Sequence, residues 1–193
     1  MARVCIAILF ALAAALPSSH AAADYRAAEN ALAGGDFARA LAELTPLAER
    51  GDARALNLLG LLRQNGWGTE RDAALAADNY RRAADLGYSR AIHNLGRLYR
   101  SGLGLAPDST EAARLWKIAG RQGYVASQAA LGALYHAGDG VPQDMFRAYF
   151  WWSLAARRMD LESVRAREDI IYTLSAQQKE VADQLVDGFE ADR

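Results

Sequence analysis

The middle of the chain alternates between apolar and polar residues at the spacing of an amphipathic helix. Ile92, Leu95 and Tyr99 fall on one face of such a helix, whereas Arg90 and Arg97 fall on the opposite face. An apolar residue at every third or fourth position is typical of a helix with one buried side. The pattern therefore predicts a short helix that packs through one face.

A second helix is predicted directly after the first. Gly102 and Gly104 end the first helix, because glycine adopts the positive φ of a helix C-terminus without steric penalty. Asp108 follows at the position of an N-cap, and Glu111 stands three residues later, which is the spacing of a capping box. The ring of Trp116 lies among alanines in the next segment. The sequence thus predicts an antiparallel helix pair.

The helix pair is repeated along the chain with a period of 36 residues. The positions in register are Gly60, Gly96 and Gly132; Gly66, Gly102 and Gly138; Gly68, Gly104 and Gly140; Asp36, Asp72, Asp108 and Asp144; and Ala40, Ala76, Ala112 and Ala148. Three units are predicted, over residues 53–88, 89–124 and 125–160. Because one pair cannot bury its own apolar face, the pairs are expected to stack. The predicted fold is all-α, a right-handed superhelical solenoid of stacked antiparallel helix pairs.

A glycine in the middle of each first helix requires an explanation. Glycine is less favourable than alanine in a helix interior by about 1 kcal/mol. Close approach of a neighbouring helix is the usual reason for such a glycine. Gly96 and Gly132 are therefore predicted to lie where two helices meet tightly.

The repeat pattern becomes weaker at both ends of the chain. Residues 22–52 are predicted to form an N-terminal capping helix pair, and residues 161–193 to form C-terminal capping helices, with Ser175 as the N-cap of the last one. The apolar side of that last helix is predicted to consist of Val181, Leu185 and Phe189. Such caps are expected because an open solenoid must cover its terminal core.

Residues 1–21 are predicted to be a secretory signal peptide. An apolar run covers residues 4–16, and Ala21 and Ala23 offer alternative cleavage sites among small residues. The run is too short to cross a bilayer as a helix. The protein is therefore expected in the periplasm or outside the cell. The single cysteine, Cys5, lies within this segment, so no disulfide is expected in the exported chain.

The composition does not change the predicted fold, but it excludes some classes of function. Apolar residues account for 52% of the chain and charged residues for 23%, and the formal net charge is −1. Without an excess of positive charge, nucleic acid is not expected as the main ligand. The histidines after the predicted cleavage site, His93 and His136, stand apart and show no metal-ligand spacing. No catalytic residue, metal or cofactor is therefore predicted.

The repeated residues are similar to those of a known family. They are, in the second unit, Asn94-Leu95-Gly96-Arg97-Leu98-Tyr99, Gly102, Gly104, Ala112, Trp116 and Ala119. This pattern resembles the Sel-one-like repeat, a relative of the tetratricopeptide repeat. The resemblance implies an adaptor that gathers other proteins, and exported bacterial members are associated with signalling, envelope assembly and host contact. A cysteine-rich branch of the family is linked to penicillin binding, but this chain lacks those cysteines.

The predicted binding surface is the concave side of the superhelix, which the first helices line. Its outward positions are Arg54, Asn57, Leu61 and Gln64 in the first unit, Arg90, His93, Arg97 and Arg100 in the second, and Ala126, Ala129, Ala133 and His136 in the third. Arginine binds carboxylates bidentately, and the alanines leave room for a bulky apolar group. The predicted partner is therefore an acidic extended segment with a hydrophobic anchor. The competing interpretation is an ordinary solvated helix face.

Phe150 and Trp151 form a second candidate surface. They do not follow the buried register that Tyr149 and Trp152 occupy. Two interpretations remain open: the rings pack against the C-terminal caps, or they form a docking patch on the convex side, because exposed tryptophan is enriched at interface hot spots.

These observations predict a monomeric, non-catalytic exported adaptor that binds a protein partner and has no membrane-spanning segment after cleavage. One alternative is a cell-wall or β-lactam-acting enzyme of the same repeat family. Another is a scaffold for polysaccharide or peptidoglycan, in which Trp151 stacks on a sugar ring.

Overall fold

The computed structural model of the chain describes residues 19–191, and the side chains of residues 25–189. Ten α-helices and one 3-10 helix are found among these residues, and none of them lies in a strand. The α-helices are α1 (Ser19–Ala33), α2 (Phe37–Glu49), α3 (Ala53–Asn65), α4 (Ala73–Asp85), α5 (Ser89–Ser101), α6 (Ser109–Arg121), α7 (Val125–Ala137), α8 (Met145–Ala156), α9 (Leu161–Ile170) and α10 (Ala176–Ala191). The 3-10 helix is Ile171–Thr173. Most of the predicted signal peptide, residues 1–18, lies outside the described residues.

Consecutive helices pack against each other from α1 to α9, and α10 packs on α8. Each unit is a pair, α3 with α4, α5 with α6 and α7 with α8, and each pair packs on the next through the contacts of α4 with α5 and of α6 with α7. The first helices of neighbouring units also touch, as α3 touches α5. The predicted all-α fold of stacked helix pairs is confirmed.

An aromatic ring covers the glycine in the middle of each first helix. The pairs are Gly60 with Tyr80, Gly96 with Trp116, and Gly132 with Trp152. A Cβ atom on Gly96 would lie 2.5 Å from Nε1 of Trp116, which is too close for any real contact. The same Nε1 donates a hydrogen bond to the carbonyl of His93 at 3.0 Å. The predicted close approach is confirmed, and the second helix of the same unit provides it.

The periodic aspartates begin the second helices. The carboxylates of Asp36, Asp72, Asp108 and Asp144 each accept a hydrogen bond from the amide three residues later. This confirms their predicted role as N-caps. The capping box at Asp108 is not formed, because the carboxylate of Glu111 binds the guanidinium of Arg114 and the amide of Asp108 donates to the carbonyl of Tyr99. A reciprocal box is found instead between Ser175 and Gln178, at the predicted start of α10.

The loop within each unit rests on the preceding unit. Gly102 has a φ of 69° and ends α5 in the left-handed conformation. Gly104 also has a positive φ, and a Cβ atom on it would lie 2.7 Å from the backbone nitrogen of Ala74 at the start of α4. The second glycine of the loop therefore allows the backbones of two units to touch.

The C-terminal end departs from the repeat. Helix α10 packs on α8, and its buried side chains are Ala182 and Val186. Val181 and Leu185, which were predicted to share one side of α10, are 41% and 50% exposed, so this side of the helix faces outward. Two polar contacts accompany this orientation of α10: Asp183 accepts a hydrogen bond from the hydroxyl of Tyr149, and Asp187 pairs with Arg157.

The third unit ends in an unusual backbone conformation. Met159 stands where the other units have Gly87 and Gly123, and its φ of 64° is the only positive value at a described residue other than glycine. Its side chain is 80% exposed. The turn therefore has the same left-handed backbone conformation as in the other units, although methionine stands in place of glycine.

Candidate protein-binding surfaces

The first helices α3, α5 and α7 each carry side chains that point away from the core. These side chains form one row, which is called here the first-helix stripe. The structure exposes its members Arg54, Arg90, Arg97, Arg100, Ala126 and His136, and half-buries Leu61, Gln64, His93, Ala129 and Ala133. Eleven of the twelve predicted positions are therefore exposed or half-buried.

Asn57 is the exception, and its prediction as a solvent-facing residue is wrong. Only 2% of its surface is exposed. Its Oδ1 accepts a hydrogen bond of 2.9 Å from Nδ2 of Asn94 on the next first helix. Asn57 therefore joins two units, and a partner cannot reach it.

His93 also links units rather than presenting a free imidazole. Its Nδ1 shares a hydrogen bond of 3.0 Å with Oγ of Ser127 on α7. The imidazole lies 5.7 Å from the ring of Trp116 and 5.2 Å from that of Tyr124. Burial lowers the pKa of His93 to about 4, and the nearby charge of Arg97 acts in the same direction. The side chain is thus neutral at physiological pH and adds no positive charge to the stripe.

A cleft of about 480 Å³ lies where the first two units meet on this stripe. It is lined by Gln64, Arg97, Leu98, Arg100, Ser101, Leu103 and Trp116. Oε1 of Gln64 accepts a hydrogen bond of 3.1 Å from the hydroxyl of Tyr80, which fixes the orientation of the amide. The structure thus brings together three of the predicted residues, Gln64, Arg97 and Arg100.

The two arginines of this cleft differ in their partners. Nε of Arg100 donates to Oδ2 of Asp139 at 3.1 Å, and both side chains are partly exposed. Arg97 forms no ion pair with any residue that the structure describes, so its guanidinium is available to a carboxylate from outside. Leu103 and Trp116 supply an apolar wall beside it. The cleft can therefore hold a carboxylate and an adjacent apolar group.

The stripe continues into the first unit at Arg54 and into the third unit at His136. Arg54 lies over the ring of Tyr25, 4.2 Å from its centroid, and pairs with Asp52 at 3.8 Å. His136 is exposed and tilts against Trp152 at 5.5 Å. The positive charge of the stripe is therefore concentrated in the second unit.

Sequence reasoning missed Ser101, Leu103 and Asp139. Ser101 and Leu103 lie at the end of α5 and in the loop after it, where the helical period no longer indicates direction. Asp139 comes from the corresponding loop of the next unit and reaches back to Arg100. The position of Leu103 between the two loop glycines is the sequence feature that could have placed it beside the stripe.

Of the two interpretations of Phe150 and Trp151, an exposed patch on the convex side is wrong for Trp151. Only 5% of its surface is exposed, because its ring covers Gly120 of α6 and lies against Phe150 and Phe189. Phe150 is half-buried. The pair packs against the C-terminal cap, as one of the two interpretations stated.

Neither metal ligands nor a membrane span are found in the described part of the chain. No group of three or more histidine, cysteine, aspartate or glutamate residues is placed there to hold a metal ion. No described helix is long and apolar enough to cross a membrane.

The fold defines a helical-repeat protein of the solenoid class. Its features are stacked helix pairs, glycines covered by aromatic rings and a stripe of side chains along the first helices. The chain belongs to the Sel1 repeat family, since the Sel1 repeat sequence model matches residues 53–88, 89–124 and 125–158. Members of this family generally serve as scaffolds for protein–protein interaction. The predicted family and its three repeats are thus confirmed.

Solved structures of this family are similar to the chain. One is a Sel1 repeat protein from Oxalobacter formigenes, with 25% sequence identity and a TM-score of 0.71 over 74% of this chain. Another is c5321, a protective antigen of uropathogenic Escherichia coli with an SLR fold, with 33% identity and a TM-score of 0.72, also over 74% of this chain. The matches cover 59% and 32% of those two proteins. A search of curated proteins gave no significant match.

Proposed function

We propose that the protein is a non-catalytic, exported scaffold that binds an acidic, extended segment of a partner protein along the first-helix stripe. The observation that carries this proposal is the position of Arg97, which pairs with no described carboxylate, in a cleft with an apolar wall. A family of interaction scaffolds and a stripe that is basic in its second unit support the same function. The partner is proposed to belong to a signalling or assembly system of the cell envelope.

The ion pair of Arg100 supports the choice of a carboxylate-bearing partner. Asp139 already places a carboxylate against Arg100 with hydrogen-bond geometry. A partner carboxylate on Arg97 would meet the same planar guanidinium chemistry, which favours bidentate binding. Leu103 and Trp116 would then receive the apolar anchor of the segment.

The saccharide-binding alternative depended on an exposed Trp151. Because that ring is buried, it cannot stack on a sugar, and the alternative loses the residue that supported it. The burial of Trp151 therefore favours protein binding over saccharide binding.

The proposal is tested with a photo-crosslinking amino acid at Ser101 in the cleft. In the periplasmic extract of the source organism, we expect crosslinking to one discrete protein, which mass spectrometry identifies. Binding of that purified protein to the Arg90→Glu/Arg97→Glu variant should weaken by about tenfold or more and lose part of its salt dependence. The melting temperature should change little, because exposed charge substitutions usually alter stability by less than about 0.5 kcal/mol.

The matched control is Arg81→Glu/Arg121→Glu, which reverses two charges on the second helices α4 and α6. This control should bind as the unmodified protein does. Equal weakening in both double variants would show a non-specific charge effect. Unchanged affinity in the stripe variant, with an unchanged melt, would assign the arginines to a solvated face and overturn the proposal.

A further inference from the structure

A second cavity lies at the C-terminal end of the solenoid, between α8 and α10, and is called here the C-terminal groove. Its volume is about 530 Å³, and it is lined by Lys117, Tyr135, Phe146, Arg147, Phe150, Trp151, Gln184, Leu185, Gly188 and Phe189. The rings of Phe150, Trp151 and Phe189 meet edge to face, with centroids 5.2 to 6.3 Å apart. The groove therefore has an ordered aromatic wall.

Gly188 lies in helix α10 and borders this groove. Apart from its two chain neighbours and the backbone of its own helix, no described atom comes within 4 Å of the position that its Cβ atom would occupy. By contrast, Gly60, Gly96 and Gly132 are each covered by an aromatic ring. Glycine is a poor helix former, so a helical glycine is normally explained by something that approaches it closely. Nothing among the described residues provides that explanation for Gly188.

An exposed apolar surface continues from the groove along α10. Leu185 borders the groove and is 50% exposed, and Val181 lies one turn earlier and is 41% exposed. Their exposure results from the rotation of α10, which turns Ala182 and Val186 toward α8 instead. The outer side of α10 thus offers large apolar side chains to a partner.

The charged residues that line the groove are both basic. Arg147 lies over the ring of Tyr135, 5.4 Å from its centroid, and pairs with Asp144 at 3.3 Å. Lys117 is exposed on α6 and forms no ion pair with a residue that the structure describes. Among the residues whose side chains the structure describes, none that lines the groove is acidic. An occupant with acidic residues beside its apolar ones therefore complements this surface better than a basic one.

We propose that the C-terminal groove binds a short amphipathic segment of a partner protein, which places a bulky, preferably aromatic side chain over Gly188 and an acidic residue beside Lys117. A cavity of this volume accommodates two or three large side chains. This groove is separate from the first-helix stripe. The proposal for the groove does not depend on the function proposed for the stripe.

The test begins with a random-peptide phage library selected on the full-length protein. The peptides that bind most tightly are synthesised with a fluorescent label, and their affinity is measured by fluorescence polarisation. We expect the selected peptides to combine an aromatic residue with aspartate or glutamate. Gly188→Leu, which fills the groove, should weaken their binding by about tenfold or more, and Lys117→Glu should weaken it several-fold.

Two controls separate this effect from unfolding and from the other surface. Gly188→Leu should raise the melting temperature, because leucine is a better helix former and the space at Gly188 is open. Gln177→Leu, at an exposed position of α10 outside the groove, and Arg97→Glu, in the first-helix stripe, should leave peptide binding unchanged.

Three results would overturn the proposal. The first is a selection that yields no peptide whose affinity depends on Gly188. The second is enrichment of basic peptides or of peptides without aromatic residues. The third is sedimentation data in which the unmodified protein forms a dimer that Gly188→Leu dissociates, since the groove would then be filled by a second copy of the chain.

Discussion

At the scale of single residues, the 36-residue period located the positions that hold each helix pair together. Gly96 and Trp116 each have counterparts 36 residues away in the neighbouring units. Because the glycine and the ring recur at the same spacing, the period indicates that they are in contact. The exposure of Asn57 and Trp151 could not be derived in this way. A helical wheel gives directions within one helix, whereas these two side chains are covered by helices from other parts of the chain.

Two helical glycines with opposite surroundings give a matched prediction. Gly188→Ala should stabilise the protein by about 0.5 to 1 kcal/mol, because alanine is the better helix former and the added methyl group meets open space. Gly96→Ala should destabilise it by about 1 to 3 kcal/mol, because its Cβ atom would collide with the indole of Trp116. Thermal and urea unfolding of both variants measure these changes. A stabilised Gly96→Ala protein would contradict the tight contact.

At the scale of the elements, the boundaries of the helix pairs were predictable, but the rotation of the last helix was not. The aspartate N-caps and loop glycines mark where helices begin and end, and they do so in each unit. Helix α10 has apolar residues on two sides, so its sequence alone permits two orientations. In the orientation observed, Ala182 and Val186 are buried, Asp183 contacts Tyr149 and Asp187 contacts Arg157.

The junction between α5 and α7 predicts a dependence of stability on pH. The pKa of His93 is lowered to about 4 in the folded protein, against an ordinary value of 6.5. Its stabilising contribution is therefore fully present above pH 6.5 and is lost as the pH falls from 6.5 through 4. Melting temperatures between pH 7.5 and pH 4 should fall more steeply for the unmodified protein than for His93→Gln, which cannot be protonated in this range.

The control for this measurement is His136→Gln, at the exposed histidine of the third unit. Its melting temperature should follow that of the unmodified protein across the pH range. Parallel curves for the unmodified protein and His93→Gln would contradict a buried neutral imidazole at the junction.

At the scale of the whole molecule, the sequence predicted an all-α stack because each pair leaves an apolar face that only its neighbour can cover. The cleft at Arg97 was only partly predictable. Arg97, Arg100 and Gln64 follow from the helical period, whereas Ser101, Leu103 and Asp139 reach the cleft through the end of α5 and two loops of neighbouring units. Loop geometry depends on how units are stacked, so it is absent from the pattern of any one unit.

Export is a prediction about the molecule as a whole. When the full chain is expressed with its N-terminus intact in a Gram-negative host, we expect the protein in the periplasmic fraction. Its N-terminal sequence should begin at Ala22 or Asp24, directly after the small residues Ala21 or Ala23. Edman sequencing of the purified protein decides this. Recovery of the protein from the cytoplasm with Met1 retained would contradict it.

The contact of each loop glycine with the preceding helix has a consequence for how such a protein can evolve. Gly104 rests on the start of α4, and Gly140 rests in the same way on the start of α6. Duplication or deletion of one complete unit therefore recreates a joint that the chain already contains. Insertion of a single residue in the loop would instead move the glycine away from its contact. We expect homologous solenoids to differ in length by whole units of 36 residues, with their loops kept constant.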